Sequence, residues 1–374
     1  MTPMSPVTPM TPMSPMNRAR TVVQLVPTWE PGAIGAHVLA VHETLTGAGV
    51  ACRVMADDIR TGLPPIATSA RALLDDPTPE RDTVLVYHAA MGTPMGDELL
   101  FRSEPIVLEH HNVTPPDFFD AWDPGLAENL EVGERQVVRL ARRAALGIGD
   151  SSFNTAQLAA AGCVRTATVP VFVPPLRDAD PPAVAALRAG GAGHDWLFVG
   201  RVAPNKCVHD LVTAFAAYRR VYEARARLRV VGSTTMARYV STVQRLAEQL
   251  GVSDAVVLTG SVDDDALAAH YAAADVFVCC SEHEGFGVPL VESMAAGVPV
   301  IASRAGAVGE TVGDGGVVLD SKAPLVVAAA VARVLRDGAL REHVVAAGRR
   351  RAAELGREHT AEKLLAALAP GLHA

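Results

Sequence analysis

An α/β fold of two Rossmann-like domains facing across a cleft is what this 374-residue chain predicts, and three observations predict it. Short apolar runs alternate with stretches of helical spacing, the pattern of parallel strands covered on both faces by crossover helices. Aromatic residues make up only 5% of a chain that is 49% hydrophobic, so the cores are aliphatic and suit buried strands better than a sandwich. The alternation breaks once, in a proline-rich and then glycine-rich stretch near residues 174–193, and the chain is longer than one typical domain.

Taken in order, residues 1–19 are a Thr/Pro/Met/Ser repeat, in which proline removes backbone donors and prevents regular structure, so a disordered tail is expected. "RTVVQLVP" reads as a strand, "TWEPGAIG" as a glycine-bearing loop and "AHVLAVHETLTGAG" as a helix closed by glycine, together one βα unit. "ACRVMA", "DTVLVYH", "EPIVLEHH", "LGIGDS" and "TATVPVF" supply further buried strands. A first domain over 20–175 and a linker over 176–191 follow. The second domain, 192–354, has its strands in "WLFVG", "RLRVVG", "AVVLTG", "DVFVCC", "PVIAS" and "GGVVLD". Two such sheets leave a cleft between their carboxyl-end loops, where open α/β folds bind ligands.

Several function classes are excluded or disfavoured at this level. A net charge of -8 does not suit a protein that neutralises phosphate backbones, so no nucleic acid partner is expected. Five cysteines, Cys52, Cys163, Cys207, Cys279 and Cys280, show no CxxC pair and no metal-type spacing with histidine, which fits a reducing compartment and buried thiols. No apolar run reaches bilayer length and no secretion signal opens the chain, so a cytoplasmic protein is expected. Arg139, Arg142 and Arg143 in "RLARRAAL" allow a weak peripheral contact with an anionic membrane, although a solvated helix face is the commoner meaning of such a run.

The most specific segment is "SEHEGFGVPLVESMAAGVPVIAS", residues 281–303, a strand end followed by a glycine loop, a helix and a strand. Gly285 and Gly287 let the backbone approach a ligand closely. Glu284 and Glu292 flank one small cavity, and the amides at the helix start favour an anionic group. In "FVGRVAPNKCVHDLVTAF" a strand ends at Gly200 and a helix follows Lys206. Arg201 and Lys206 are cations suited to a diphosphate that gains charge as it leaves. The acid run Asp263, Asp264 and Asp265 imitates a metal-binding DxD motif, but it directly precedes a helical stretch, where acids cap the first turn, so no metal is expected there.

Together these segments resemble the retaining glycosyltransferases of family four, which have the GT-B fold. "PGAIGAHVLAVHETLTGAG" resembles that family's first loop and helix, and "EHHNVTPPDFF" resembles the "YHNITP" motif of its bacterial polysaccharide members. The resemblance implies that Arg201 and Lys206 hold the diphosphate of a nucleoside diphosphate sugar, with GDP or UDP as the nucleotide. It places Glu284 on the sugar hydroxyls, assisted by amides near Phe286 and Gly287, and Glu292 on the ribose. Gly32 and Gly35 would form the loop that approaches the phosphates, His111 would sit beside the reacting sugar, and Gly200 and Gly232 are assigned to the donor side. His88 and Asn112 are assigned to the acceptor.

His110 and His111 alternate across a strand and face opposite ways; His111 stands where the family motif has its histidine. A final helix over 355–374 is expected to cross back onto the first domain. The activity implied is metal-independent and retaining transfer of a mannose- or glucose-type hexose to a glycan, lipid-linked or small-molecule hydroxyl, without cofactor. A sugar phosphorylase, an epimerase or a catalytically silent nucleotide-sugar binding subunit would use the same cleft.

Overall fold

In the computed structural model, which describes residues 21–189, 191 and 193–372, thirteen strands form two parallel sheets. The tail expected over residues 1–19 lies outside the described residues. In the first sheet, β1 (Thr21–Trp29), β2 (Cys52–Ile59), β3 (Ala67–Ser69), β4 (Thr83–Ala89), β5 (Ile106–His110), β6 (Leu146–Gly149) and β7 (Thr166–Thr168) lie in the order β3-β2-β1-β4-β5-β6-β7. The second sheet holds β8 (Asp195–Val199), β9 (Arg227–Val231), β10 (Val256–Gly260), β11 (Val276–Cys279), β12 (Val300–Ser303) and β13 (Val317–Leu319) in the order β10-β9-β8-β11-β12-β13. Each sheet reverses its strand order once, between β1 and β4 and between β8 and β11, and ligands of open α/β sheets bind outside the carboxyl ends of strands at such switch points. The short edge strand β3 has no counterpart in the sequence reading, because "ATS" is too short and too polar to register as an apolar run.

Burial follows the periods that the sequence displays. All of β4 and β5 is buried, as strands covered on both faces must be. Trp196, Phe198, Phe215, Tyr218 and Phe277 concentrate the scarce aromatic surface in the second domain's core. Segment 176–191 contains the helix Pro181–Arg188, whose cap Asp180 accepts the Ala183 N–H at 3.3 Å. The acid run behaves as a cap as well: Asp263 accepts the Ala266 N–H at 2.8 Å, and Arg177 lies within 3.4 Å of Asp264 and 3.1 Å of Asp265.

The last helix, Arg357–Leu372, leaves the second domain and lays Leu364, Leu368 and Leu372 against Val22, Val41 and Leu45 of the first. Burial of each leucine stabilises this contact by about 1.5–3 kcal/mol, and Arg357 meets Glu43 at 2.6 Å on its rim. Among the described residues no helix is long and apolar enough to cross a membrane.

Candidate functional site

The loops at the two switch points enclose one cavity of about 300 Å³ between the domains. From the second domain it is lined by Gly200, Arg201 and Lys206 after β8, and by Glu284, Gly285, Phe286 and Gly287 after β11. From the first domain come Ala33 and Ile34, His111 and Asn112, and Asp150. Each stretch follows the carboxyl end of a central strand, which is why residues far apart in sequence converge.

The cations differ in their partners. Lys206 Nζ donates to Glu284 Oε2 at 2.6 Å, a half-buried pair across the cavity floor, whereas the Arg201 side chain has no ion-pair partner among the described residues. Gly200 (φ +152) and Gly232 (φ +142) adopt backbone that L side chains avoid, and a Cβ on Gly232 would stand 2.2 Å from the Gly200 carbonyl oxygen. Gly232 therefore lies behind the cavity and lets the Gly200 turn close, instead of lining it. Gly32 caps the Ala33–Gly47 helix and Gly35 is buried against the Glu30 carbonyl; the adjacent Ala33 and Ile34 reach the cavity in their place. Glu292 is set back from the cavity surface, and the buried Tyr271 donates its hydroxyl to Glu292 Oε2 at 2.7 Å. Burial raises the Glu292 pKa.

The two adjacent histidines do separate. His110 turns to Gln157 at 3.1 Å, and His111 reaches the cavity wall with Nδ1 3.0 Å from both oxygens of Asp150. His88, assigned from sequence to the acceptor side, does not reach the cavity. It is fully buried behind His111, with Nδ1 2.9 Å from His111 Nε2 and Nε2 3.1 Å from Gln24 Oε1. Placing it at a strand end was not enough, because the side-chain direction at His88 points into the layer under the first helix. Asn112 is in the left-handed region (φ +69), where asparagine is among the tolerated residues, and it ties the domains together. Its amide donates to Asn154 at 2.9 Å, while its carbonyl oxygen is 2.7 Å from His283 Nε2 of the second domain. Ser151 adds a second tie, donating to the Gly285 carbonyl at 2.7 Å, and Glu310 a third, accepting from the Ser152 N–H at 2.9 Å.

Sequence reasoning passed over His37, Glu109, Asp150, Tyr271 and His283. The signal was there for Glu109, a charge inside the apolar run "EPIVLEHH", and for His37, a polar residue within the apolar first half of its helix. No local pattern pointed to Tyr271, whose partner is 21 residues away.

Buried histidines make the stability of the fold depend on pH. Burial pushes His88 down to about 3 and His110 and His270 to about 4, so the folded protein holds them neutral while the unfolded chain protonates them below about 6.5. Their contribution is complete above pH 6.5 and is lost as pH falls toward those values. His111 runs the other way: burial lowers it, but the charge and hydrogen bond of Asp150 outweigh that and raise it to about 8, so its contribution fades as pH rises through 8. The expected melting temperature is highest near pH 6.5–7 and falls on both sides; a melting curve still rising steadily from pH 7 to 9 would contradict it.

Comparison with known proteins shows what part of the chain resembles a known family. Residues 190–351 match the model of Glycosyl transferases group 1. The chain is 35% identical over 246 residues to a D-inositol 3-phosphate glycosyltransferase of Geodermatophilus obscurus, a match covering 63% of this chain and 54% of that protein. It is 39% identical over 181 residues to a GDP-mannose-dependent alpha-(1-6)-phosphatidylinositol monomannoside mannosyltransferase of Mycobacterium tuberculosis, covering 45% of each. It thus spans about half the length of these curated relatives. Among solved structures, sucrose-phosphate synthase from Thermosynechococcus elongatus superposes with a TM-score of 0.73 at 20% identity, over 94% of this chain and 99% of that one. Anabaena HepE in complex with UDP and glucose gives 0.72 at 17% identity, over 94% and 100%. The chain therefore has the GT-B fold, and over residues 190–351 it resembles the Glycosyl transferases group 1, with mannosyl-type transferases among its relatives.

Proposed function

We propose that this protein is a retaining, metal-independent glycosyltransferase that moves a mannose- or glucose-type hexose from a nucleoside diphosphate sugar, GDP- or UDP-linked, to a hydroxyl of a glycan, lipid-linked or small-molecule acceptor. One observation carries the reading: Arg201 and the Lys206–Glu284 pair stand together in the interdomain cavity at the strand ends of the second domain. Two cations beside an enclosed, partly apolar space suit a diphosphate whose charge grows as its bond to the sugar breaks. The incoming diphosphate competes for Lys206 and frees Glu284 to accept hydrogen bonds from sugar hydroxyls.

The carboxylates of the cavity support front-face substitution. A double displacement needs a free carboxylate on the far face of the sugar. Asp150 has both oxygens 3.0 Å from His111 Nδ1, and Glu284, once the diphosphate has drawn Lys206 from it, is engaged by the sugar hydroxyls. In the proposed step the acceptor oxygen bonds to the anomeric carbon from the side that the diphosphate leaves. The departing phosphate oxygen takes the acceptor proton, and Arg201 and Lys206 bear the charge. A relative named for a phosphatidylinositol monomannoside acceptor supports a lipid-linked acceptor for this chain as well, and with such an acceptor the proposed reaction runs on the cytoplasmic side, at the inner face of the membrane.

The test is a thermal-shift panel of UDP, GDP, ADP and their hexose conjugates with and without EDTA, followed by NMR of the product linkage. A ligand at 100 times its Kd stabilises the fold by about 2.7 kcal/mol, so one nucleotide class is expected to raise the melting temperature equally in both conditions and to give an α-linked product from an α-linked donor. No shift with any nucleotide, or activity abolished by EDTA, overturns the reading. Tyr271→Phe removes the hydroxyl that orients Glu292, and one neutral hydrogen bond is worth about 0.5–1.5 kcal/mol. The donor KM is expected to rise about 3- to 10-fold with kcat nearly unchanged; a fall confined to kcat would separate Glu292 from ribose binding.

A further inference from the structure

In the cavity wall of the first domain, His37, His111 and Asp150 form a polar cluster with His88 and Glu109 buried behind them and Gln24 at its base. Its protons can be placed one by one. The Phe172 N–H donates to His37 Nδ1 at 3.1 Å, so that nitrogen is bare and His37 Nε2–H donates to Glu109 Oε1 at 2.7 Å. The Gln24 amide nitrogen donates to the Val38 carbonyl at 3.2 Å, which turns its oxygen toward His88 and puts a proton on His88 Nε2. On the opposite side, the Asp150 carboxylate requires a proton on His111 Nδ1. The remaining nitrogens, His88 Nδ1 and His111 Nε2, face each other at 2.9 Å with their ring planes parallel within 1°. A contact that short needs a proton between them.

We infer that the His88–His111 pair carries one extra proton and that His111 lines the cavity as a fixed imidazolium, with both N–H groups spent on the protein interior, so that it acts as a third cation of the donor site and not as a base. Asp150 and His88 are its positioning residues. The proton belongs mainly to His111, because Asp150 contacts His111 with two oxygens at 3.0 Å, whereas Glu109 Oε2 lies 3.4 Å from His88 Nδ1. His88, fully enclosed, is the poorer place for a charge. The groups around His111 are Asp150, Glu109, His88, His37 and the adjacent His110 on its own side, and Arg201, Lys206, His283 and Glu284 across the cavity. His37, His88, Glu109 and His111 also bring donor atoms within 4.8 Å of one another, as a metal's ligands would. The proton on His37 Nε2 leaves that nitrogen no lone pair, and the geometry points to a proton in the metal's place.

The role at the donor rests on the glycosyltransferase reading; the charge does not. Full-length protein carrying 15N-labelled histidine, with His111→Gln and His88→Gln to assign signals, reports the protonation of each ring nitrogen. The expected result at pH 7 is an imidazolium signature on His111, titrating near pH 8, which Asp150→Asn lowers by about 1 pH unit or more. UDP or GDP should raise it. Turnover should fall above pH 8, and the fall should move to lower pH in Asp150→Asn, with Asp150→Glu restoring part of it. A neutral His111 at pH 7 in the folded wild-type protein, turnover that rises through pH 8, or stoichiometric zinc in the purified protein overturns the inference. An imidazolium that neither nucleotide perturbs supports the protonation assignment and overturns the donor-site reading instead.

Discussion

Replacing Lys206 with alanine is expected to lower turnover of the nucleotide sugar by about 10²- to 10³-fold, the cost of losing one preorganised charge stabiliser from a cavity shielded from water. The melting temperature should hardly follow. Lys206 and Glu284 form a single pair at 2.6 Å with both side chains partly open to the cavity, and a pair of that kind contributes on the order of 1 kcal/mol or less. Glu284 is not stranded by the change, since water in the cavity replaces the ammonium. The comparison that decides is kcat and donor KM against a thermal melt of the same preparation. Proportionate losses of activity and stability would mean that Lys206 braces the loop and does not serve the chemistry. Arg201→Ala should behave alike with an even smaller effect on stability, because Arg201 has no ion-pair partner among the described residues.

Gly285→Ala is expected to reduce turnover by about 10²-fold by a different route, since a misplacement of about 1 Å can cost that much. The added Cβ would lie 2.5 Å from Asn112 Cβ, and these two atoms belong to opposite domains. Gly285 does not have a positive φ, so alanine brings no backbone strain within its own loop. The clash has to be relieved by separating the domains, which breaks the ties from Asn112 to His283 and from Ser151 to the Gly285 carbonyl. Small-angle scattering should show a more open molecule, and UDP or GDP should still shift the melting temperature through the second domain alone. A variant with full activity would show that the closed approach of Asn112 to the glycine loop is not needed for turnover.

Much of this was legible without coordinates, for reasons visible in particular residues. "RTVVQLVP", "DTVLVYH", "WLFVG" and "DVFVCC" are strands because continuous β-branched and aliphatic runs bounded by loop signals have few other uses. The carboxyl-half site was legible because Arg201, Lys206, Glu284 and the two glycines sit within short segments whose order, strand end then loop then helix, is itself a sequence pattern. Asp263 was readable as a cap from its position before a helical run. The amino-half site was only partly legible, because its members come from separate strand ends and a helix far apart in sequence.

What the sequence by itself determined is the class of fold, the order of its elements and the chemistry of the loop after each central strand. Tertiary structure alone decided which residues share a wall. It buried His88 and Glu109 behind His111, gave His111 the partner Asp150, set Tyr271 on Glu292, and brought Asn112 against Gly285 and His283. The physical reason is that periodicity and spacing encode local backbone geometry and the face that a side chain occupies, whereas the charge on a buried imidazole depends on which groups from distant strands stand within hydrogen-bond reach.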